Sequence, residues 1–379
     1  MELTETQEMI RDAARAYAQE KLWPTAAARE KERLFPRALV REMGALGFMG
    51  MLVPEEFDGA GVDHVAYALA IEEIAAGDGA VSTVMSVHNS VGCMPILKFG
   101  SDWQKETFLK PLARGDMLGA FALTEPSVGS DAGAIKTRAR RDGNHWVVNG
   151  SKQFITSGGT ADLAIIFAVT NPEAGKKGIS AFLVPTDTPG WKAARIEEKL
   201  GQKCSDTAHI VMEDMRLTPD LMLGAEGEGY RIALANLEGG RIGIAAQAVG
   251  MARSAYAVAR DYALQRETFG QKIFDHQAVQ FRLSDMATEL EAARLLVVNA
   301  ARLRDAGKPC LKEAAMAKLF ASEMAERVCS AAIQTHGGYG YLADFPVERI
   351  WRDVRVCQIY EGTSDIQRLV IARAIRTEA

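Results

Sequence analysis

The chain has 379 residues, of which 48% are apolar and 25% charged, and its formal charge is −5. That length exceeds what one hydrophobic core usually serves, so two or three domains are expected. The acidic balance leaves no electrostatic footprint for nucleic acid. Five scattered cysteines without C-x-x-C spacing, Cys93, Cys204, Cys310, Cys329 and Cys357, argue against a disulfide framework or a zinc site and for a reducing compartment. No H-E-x-x-H occurs among the six histidines, so no metal is expected.

The start, Met1 to Glu5, is acidic and lacks an apolar core, so it reads as neither a secretory signal nor a transit peptide. To residue 118 the pattern is helical. Thr4-x-x-Gln7 and Ser101-x-x-Gln104 are capping boxes, Ile10, Ala13, Ala14, Tyr17 and Ala18 repeat at helical spacing, and Pro24 and Gly59-Ala60-Gly61 punctuate the run.

Residues 119–225 turn to strands. Trp146 to Val148, Leu163 to Val169, Ile179 to Val184 and His209 to Met212 are candidate strands, with hairpin signals at Asp142-Gly143 and Asn149-Gly150. Leu163 to Val169 is too short to span a bilayer. Lys136, Arg138 and Arg140 share one strand face, read as solvated, with phosphate contact as the secondary reading. With no long helix interrupting, an antiparallel sandwich or barrel is expected. From 226 to 379 the helical pattern returns in segments 229–265, 276–306, 309–335 and 346–376, which indicates a four-helix bundle. The fold class is therefore a multidomain α+β chain in the order α, β, α, with domains 1–118, 119–225 and 226–379.

Glu361 lies between an apolar run, Ile359-Tyr360, and Gly362-Thr363-Ser364-Asp365. Apolar flanks raise a carboxylate's proton affinity toward that of a general base, while Ser364-x-x-Gln367 reads as a capping box whose helix dipole favours the charged form. The plainer reading is a capped turn with Glu361 in solvent. Phe121 to Asp131, Lys152 to Gly159, Arg266-x-x-Phe269-Gly270 with Gln277, and Gln334-x-His336-Gly337-Gly338 offer hydroxyls, aromatic faces and open backbone at strand and helix ends. Taken singly, each is an ordinary structural segment. Gly338-x-Gly340-x-x-Ala343 fits a loose dinucleotide fingerprint, but a helix precedes it and no parallel strand is in sight, so it fails as a Rossmann loop.

Together, in this order and layout, these segments resemble the acyl-CoA dehydrogenase family along essentially the whole chain. The resemblance implies FAD-dependent oxidation of an acyl-CoA to the trans-2-enoyl-CoA, a homotetramer, and electron-transferring flavoprotein as acceptor. The acidic balance and the short apolar stretches point to no nucleic-acid partner and no membrane insertion. The flavin loop falls on Phe121 to Ser130, including Leu123, Thr124 and Gly129, with Thr124 near the pyrimidine edge and Ser130 also meeting substrate. Phe154, Ile155 and Thr156 match the family's W-I-T strand, with Phe154 in place of Trp and Thr156 as a donor to flavin N5. Arg266, Phe269, Gln277, Gln334, Gly337 and Gly338 look like contacts to a neighbouring subunit's FAD. Thr363, Ser364 and Asp365 match the segment near the flavin phosphates, Asp365 standing where Glu is common.

Glu361 matches the family's catalytic base. Some members place the base instead on the first long bundle helix, beside the Arg that appears here as Arg241. Position 240 is Gly, which leaves Glu361 as the candidate at either location. Glu238, Arg241, Tyr360 and Gly362 resemble substrate contacts, with a helix kink as the alternative at Gly239-Gly240. The chain is most similar to short-chain and short-branched-chain members, which suggests a short straight or branched acyl group from fatty-acid β-oxidation or branched-chain amino-acid catabolism. The expected compartment is a bacterial cytoplasm, or a mitochondrial matrix for a processed form. An acyl-CoA oxidase or related flavin monooxygenase on the same scaffold is the alternative, as is a non-catalytic FAD-binding assembly protein.

Overall fold

The computed structural model describes residues 2–378, except for the side chains of 237 and 238. The capping boxes at Thr4 and Ser101 form as the spacing predicts. The Thr4 hydroxyl accepts from the Gln7 N–H at 3.2 Å and the Gln7 side chain accepts from the Thr4 N–H at 3.1 Å, and Ser101 with Gln104 repeats the arrangement. The first box opens α1 (Glu5–Tyr17). Helices α2 (His64–Gly77) and α3 (Gly79–Val87) follow. They are buried nearly all round, so their apolar residues show no single face. Asp78 joins them. Its carboxylate accepts the Ala80 and Val81 N–H groups at 2.9 and 3.2 Å and pairs with buried Arg29 at 2.7 Å.

Eight strands form one sheet: β1 (Gly119–Ala122), β2 (Arg138–Asp142), β3 (His145–Thr156), β4 (Leu163–Val169), β5 (Ile179–Pro185), β6 (Trp191–Ile196), β7 (Thr207–Leu217) and β8 (Met222–Leu223). The order is β6-β7-β3-β2-β4-β5-β8, with β1 added beside β4. Only Arg138↔Val169 joins the two halves at β2 and β4. Trp146 of β3 packs edge-on against Phe182 of β5 at 5.7 Å, so the halves face each other as a sandwich. Two expectations need correction. The β1–β4 pairing is parallel, although the remaining long pairings are antiparallel. Asn149-Gly150 is not a hairpin: β3 runs straight through it with a bulge between Val148 and Gly150, while the turn forms at Asp142-Gly143. A Cβ at Gly150 would lie 2.8 Å from the Thr137 Cα, so the glycine answers a close backbone approach instead of a turn. Arg138 and Arg140 point to solvent.

The bundle comprises α4 (Gly229–Gln265), α5 (Gln277–Asp305), α6 (Leu311–His336), α7 (Pro346–Val354) and α8 (Ser364–Glu378). Helix α4 is the central member, packed on α2, α5, α6 and α7. The segment 346–376 is not one helix. It breaks after Gln358, where Glu361 and Gly362 take φ of 50° and 91°, conformations that end an α-helix. Glu361 sits in that break. None of the described helices is long and apolar enough to cross a membrane.

Candidate active site

The turn bearing Glu361 is fixed from both sides. Lys318 of α6 donates to the Gly362 carbonyl at 2.7 Å, and the Gln367 side chain donates to the carbonyls of Gly362 and Glu361 at 2.9 and 3.2 Å. The helix cap is Thr363 and not Ser364: the Thr363 hydroxyl accepts from the Ile366 N–H at 3.3 Å. Gln367 turns its side chain to the carbonyls before the helix, so the Ser364-Gln367 capping box does not form. The Ser364 hydroxyl is buried without a partner.

Both carboxylate oxygens of Glu361 are sealed from solvent and accept no hydrogen bond. They lie against Gly240 of α4, where a methyl group would overlap one oxygen and approach the carboxyl carbon to 2.8 Å. Burial pushes the Glu361 proton affinity up to about 7, against the pull of the Lys318 and Arg241 charges. Of the apolar flank that the sequence suggests, Ile359 is 53% exposed, while the Tyr360 phenol is buried and α4 closes over the carboxylate at Gly240.

Tyr360 anchors the preceding position. Its hydroxyl donates to Gln247 of α4 and lies 3.4 Å from the Thr83 hydroxyl of α3. Burial raises that phenol well above its ordinary range. Thr83 donates to Gln202 at 2.6 Å, and Gln202 in turn donates to the Asp353 carbonyl at 3.0 Å. Gln202 lies just before β7, whose Thr207 pairs with Thr156 at the end of β3. A continuous polar chain thus links the Glu361 turn to the end of the β domain. Gly201 is required beside it, since a Cβ there would sit 2.6 Å from the Asp353 backbone nitrogen.

The segments 121–130 and 152–156 come together. The Gln153 N–H donates to the Thr124 carbonyl at 2.9 Å. Beneath them, fully buried Lys152 pairs with Glu125 at 2.9 Å and donates to the Leu123 carbonyl at 3.2 Å. Burial pulls the Lys152 ammonium down to about 8, although Glu125 holds it up. Burial would raise Glu125, but Lys152 and the N–H groups of Thr137 and Lys136 keep it below the usual carboxylate range. Phe154 follows at a bulge with φ 58° and is 64% exposed, while Ile155 is buried beside it. Gly129 has open space where a side chain would be. Phe121 packs on Phe167 at 4.9 Å.

A third group lines an open groove of about 580 Å³ on the bundle: Arg266, Gln334, Gly337 and Gly338, with Tyr262 and His336. The Arg266 guanidinium stands over the Tyr339 ring at 5.7 Å. Phe269, 97% exposed, and Gln277 lie outside the lining. Asp365 is exposed and 3.7 Å from Arg368.

The chain has counterparts among known proteins. Models of the acyl-CoA dehydrogenase N-terminal, middle and C-terminal domains match residues 4–116, 120–215 and 227–376. The chain belongs to the acyl-CoA dehydrogenase family. It is 50% identical to the human mitochondrial short-chain specific acyl-CoA dehydrogenase, over 98% of this chain and 90% of that one. Butyryl-CoA dehydrogenase of Megasphaera elsdenii superposes with a TM-score of 0.97 at 41% identity, covering 99% of each chain. A chain from the structure of the electron transferring flavoprotein of Acidaminococcus fermentans superposes equally, at 0.97 and 46% identity over 99% of each chain.

Acyl-CoA dehydrogenases are flavoproteins, and the donor set here suits a flavin dinucleotide. An exposed aromatic face at Phe154, open backbone at Gly129, and the partnerless Ser364 hydroxyl at the N-terminus of α8 are what a ring and an anionic phosphate require. Arg241 is buried and its charge acts on Glu361; the Glu238 side chain lies outside the described residues. Lys152, Gln202, Gln247 and Lys318 escape the sequence reading. The only signal for the lysines is a cation on an otherwise apolar stripe. Lys152→Met strands the Glu125 carboxylate in the interior and is expected to cost about 3 kcal/mol or more. Urea unfolding checks this, and a variant as stable as the parent would contradict it.

Proposed function

We propose that the protein catalyses FAD-dependent α,β-dehydrogenation of a short acyl-CoA, with Glu361 as the base that removes the α-proton. The observation that carries this reading is the sealed, unpartnered carboxylate pressed against Gly240. A structural carboxylate would be hydrogen-bonded. One held in the dry without a donor, with its proton affinity near neutrality at about 7, is suited to taking a proton from carbon.

The α-proton of a thioester is weakly acidic, so the site has to stabilise the developing enolate. Backbone N–H donors do this, strengthening as negative charge accumulates on the carbonyl, and the Glu361 N–H is the proposed donor. Tyr360, anchored through Gln247 and Thr83, and Gly362, held by Lys318, keep the turn rigid while Glu361 reaches the proton. Exclusion of water by α4 strengthens each of these interactions. When bound, FAD supplies the acceptor for the hydride leaving the β-carbon. Phe121, Leu123, Thr124, Gly129, Ser130, Phe154, Ile155 and Thr156 would hold its ring side, and Thr363 and Asp365 its phosphate side. Ser130, Glu238 and Arg241 would contact substrate.

The short acyl group rests on the likeness to proteins described as short-chain specific and as butyryl-CoA dehydrogenase. An electron-transferring flavoprotein as acceptor rests on the likeness to the chain from the Acidaminococcus structure. We propose a homotetramer in which the groove around Arg266 and Gln334, with Phe269 and Gln277, meets a neighbour's FAD, because Phe269 and Tyr341 are 97% and 87% exposed.

Glu361→Gln should keep bound FAD and lose activity roughly 10³-fold; a yellow, folded variant with near-parental turnover would remove Glu361 from the role. Because the carboxylate must be ionised to accept a proton, kcat/KM should fall as pH drops through about 7 and level off above it. Anaerobic titration with straight and branched acyl-CoA thioesters should bleach the flavin most readily with short chains, and electron-transferring flavoprotein should restore its colour faster than oxygen. Preference for long chains, or rapid reoxidation by oxygen, would overturn those two assignments. Sedimentation should give four times the 41.1 kDa chain; a monomer would contradict the shared site.

A further inference from the structure

Lys318 is a cation in the wrong place for a structural residue. It lies on α6 among Ala314, Ala315, Ala317 and Ala321, all fully buried, and is itself fully buried. A bundle core needs no ammonium there, and burying one is costly unless a partner repays it. That ammonium donates a hydrogen bond to the Gly362 carbonyl at 2.7 Å. That carbonyl belongs to the residue after Glu361, within a turn whose two residues hold φ of 50° and 91°. A left-handed non-glycine conformation persists only where its surroundings enforce it.

The charges around the pair come from every packed element. Facing Lys318 are the Cys357 thiol from the segment after α7, the Glu361 carboxylate, Arg241 from α4, and Glu323 one turn along α6. Facing Glu361 are Lys318 and Arg241, and the Tyr67 hydroxyl of α2 feels its charge in turn. Of the two cations acting on the carboxylate, Lys318 is the stronger. Burial pulls the Lys318 ammonium down to about 8, so it remains charged at neutral pH.

We propose that Lys318 is a positioning residue for the base: its ammonium holds the Glu361-Gly362 turn through one hydrogen bond and supplies the positive charge that favours the ionised carboxylate. This rests on Glu361 being the base. Without the charge, Glu361 keeps its proton to higher pH and is less often ready to act. Without the hydrogen bond, the carboxylate also loses its aim. The two effects separate by substitution: Lys318→Gln keeps a donor without charge, Lys318→Met removes both, and Lys318→Arg keeps the charge.

The test uses the FAD-loaded full chain. The infrared band of the protonated Glu361 carboxyl, assigned by its absence in Glu361→Gln, is followed against pH alongside kcat/KM. Lys318→Gln and Lys318→Met should move both midpoints about one pH unit alkaline, with kcat at pH 7 falling roughly tenfold and KM little changed. Lys318→Arg should leave the midpoints near the parent's. Midpoints unmoved in a folded, FAD-loaded Lys318→Gln would overturn the proposal and reduce Lys318 to packing. If Lys318→Met does not fold, Lys318→Gln decides alone. Full turnover in Glu361→Gln would instead overturn the base assignment, while the infrared midpoints would still report whether Lys318 tunes that carboxyl.

Discussion

Burying the Glu361 carboxylate without a hydrogen-bond donor is unfavourable, and much of the surrounding structure exists to hold it there. Lys318 and Gln367 fix the turn from the bundle side, Tyr360 ties it to α4 and α3, and Gly240 leaves room for the two oxygens. Remove any one support and the carboxylate has a cheaper option, since it can turn to water or stay protonated. The left-handed turn and the interruption of the fourth bundle segment follow from the same requirement. The break places Glu361 in the turn itself, against Gly240 of α4.

The β domain is tied into that arrangement by a short polar chain. Gln202 reaches from the loop before β7 to Thr83 and Asp353, and Thr83 meets Tyr360. The same loop leads to Thr207, paired with Thr156. So the residues proposed to hold the flavin ring and the residue proposed to take the proton share one hydrogen-bonded frame. Lys152 and Glu125 act on the other side of β3, holding the 121–130 loop from beneath. Both halves of the site are positioned by buried polar groups, whose directionality sets angles that apolar packing would leave loose.

Local chemistry was well legible in the sequence. The capping boxes at Thr4 and Ser101, the long strands and the first three bundle helices follow from spacing alone. Errors came where one residue type serves two purposes. Gly150 looks like a turn glycine because Asn precedes it, but Thr137, just before the paired strand β2, needs the space. Ser364 looks like a cap because Gln stands three residues on, but Thr363 takes that place and Gln367 is drawn to the carbonyls before the helix. Glu361 stands out in the sequence for its apolar flank, but of that flank Ile359 faces outward while the Tyr360 phenol is buried, and Gly240 of α4 lies against the carboxylate. Gln202 and Gln247 carry no local mark, and for Lys152 and Lys318 the sequence offers only a cation on an apolar stripe, because their partners lie elsewhere in the chain.

The central claim is that Glu361 removes the α-proton from its place over Gly240. Exchange of a thioester's α-hydrogen with deuterated water, measured anaerobically on the FAD-loaded protein, reports that step apart from electron transfer. In Gly240→Ala the added methyl displaces the carboxylate, and the account predicts exchange slowed about 10²-fold with FAD still bound. Exchange at the parental rate in that variant would contradict it.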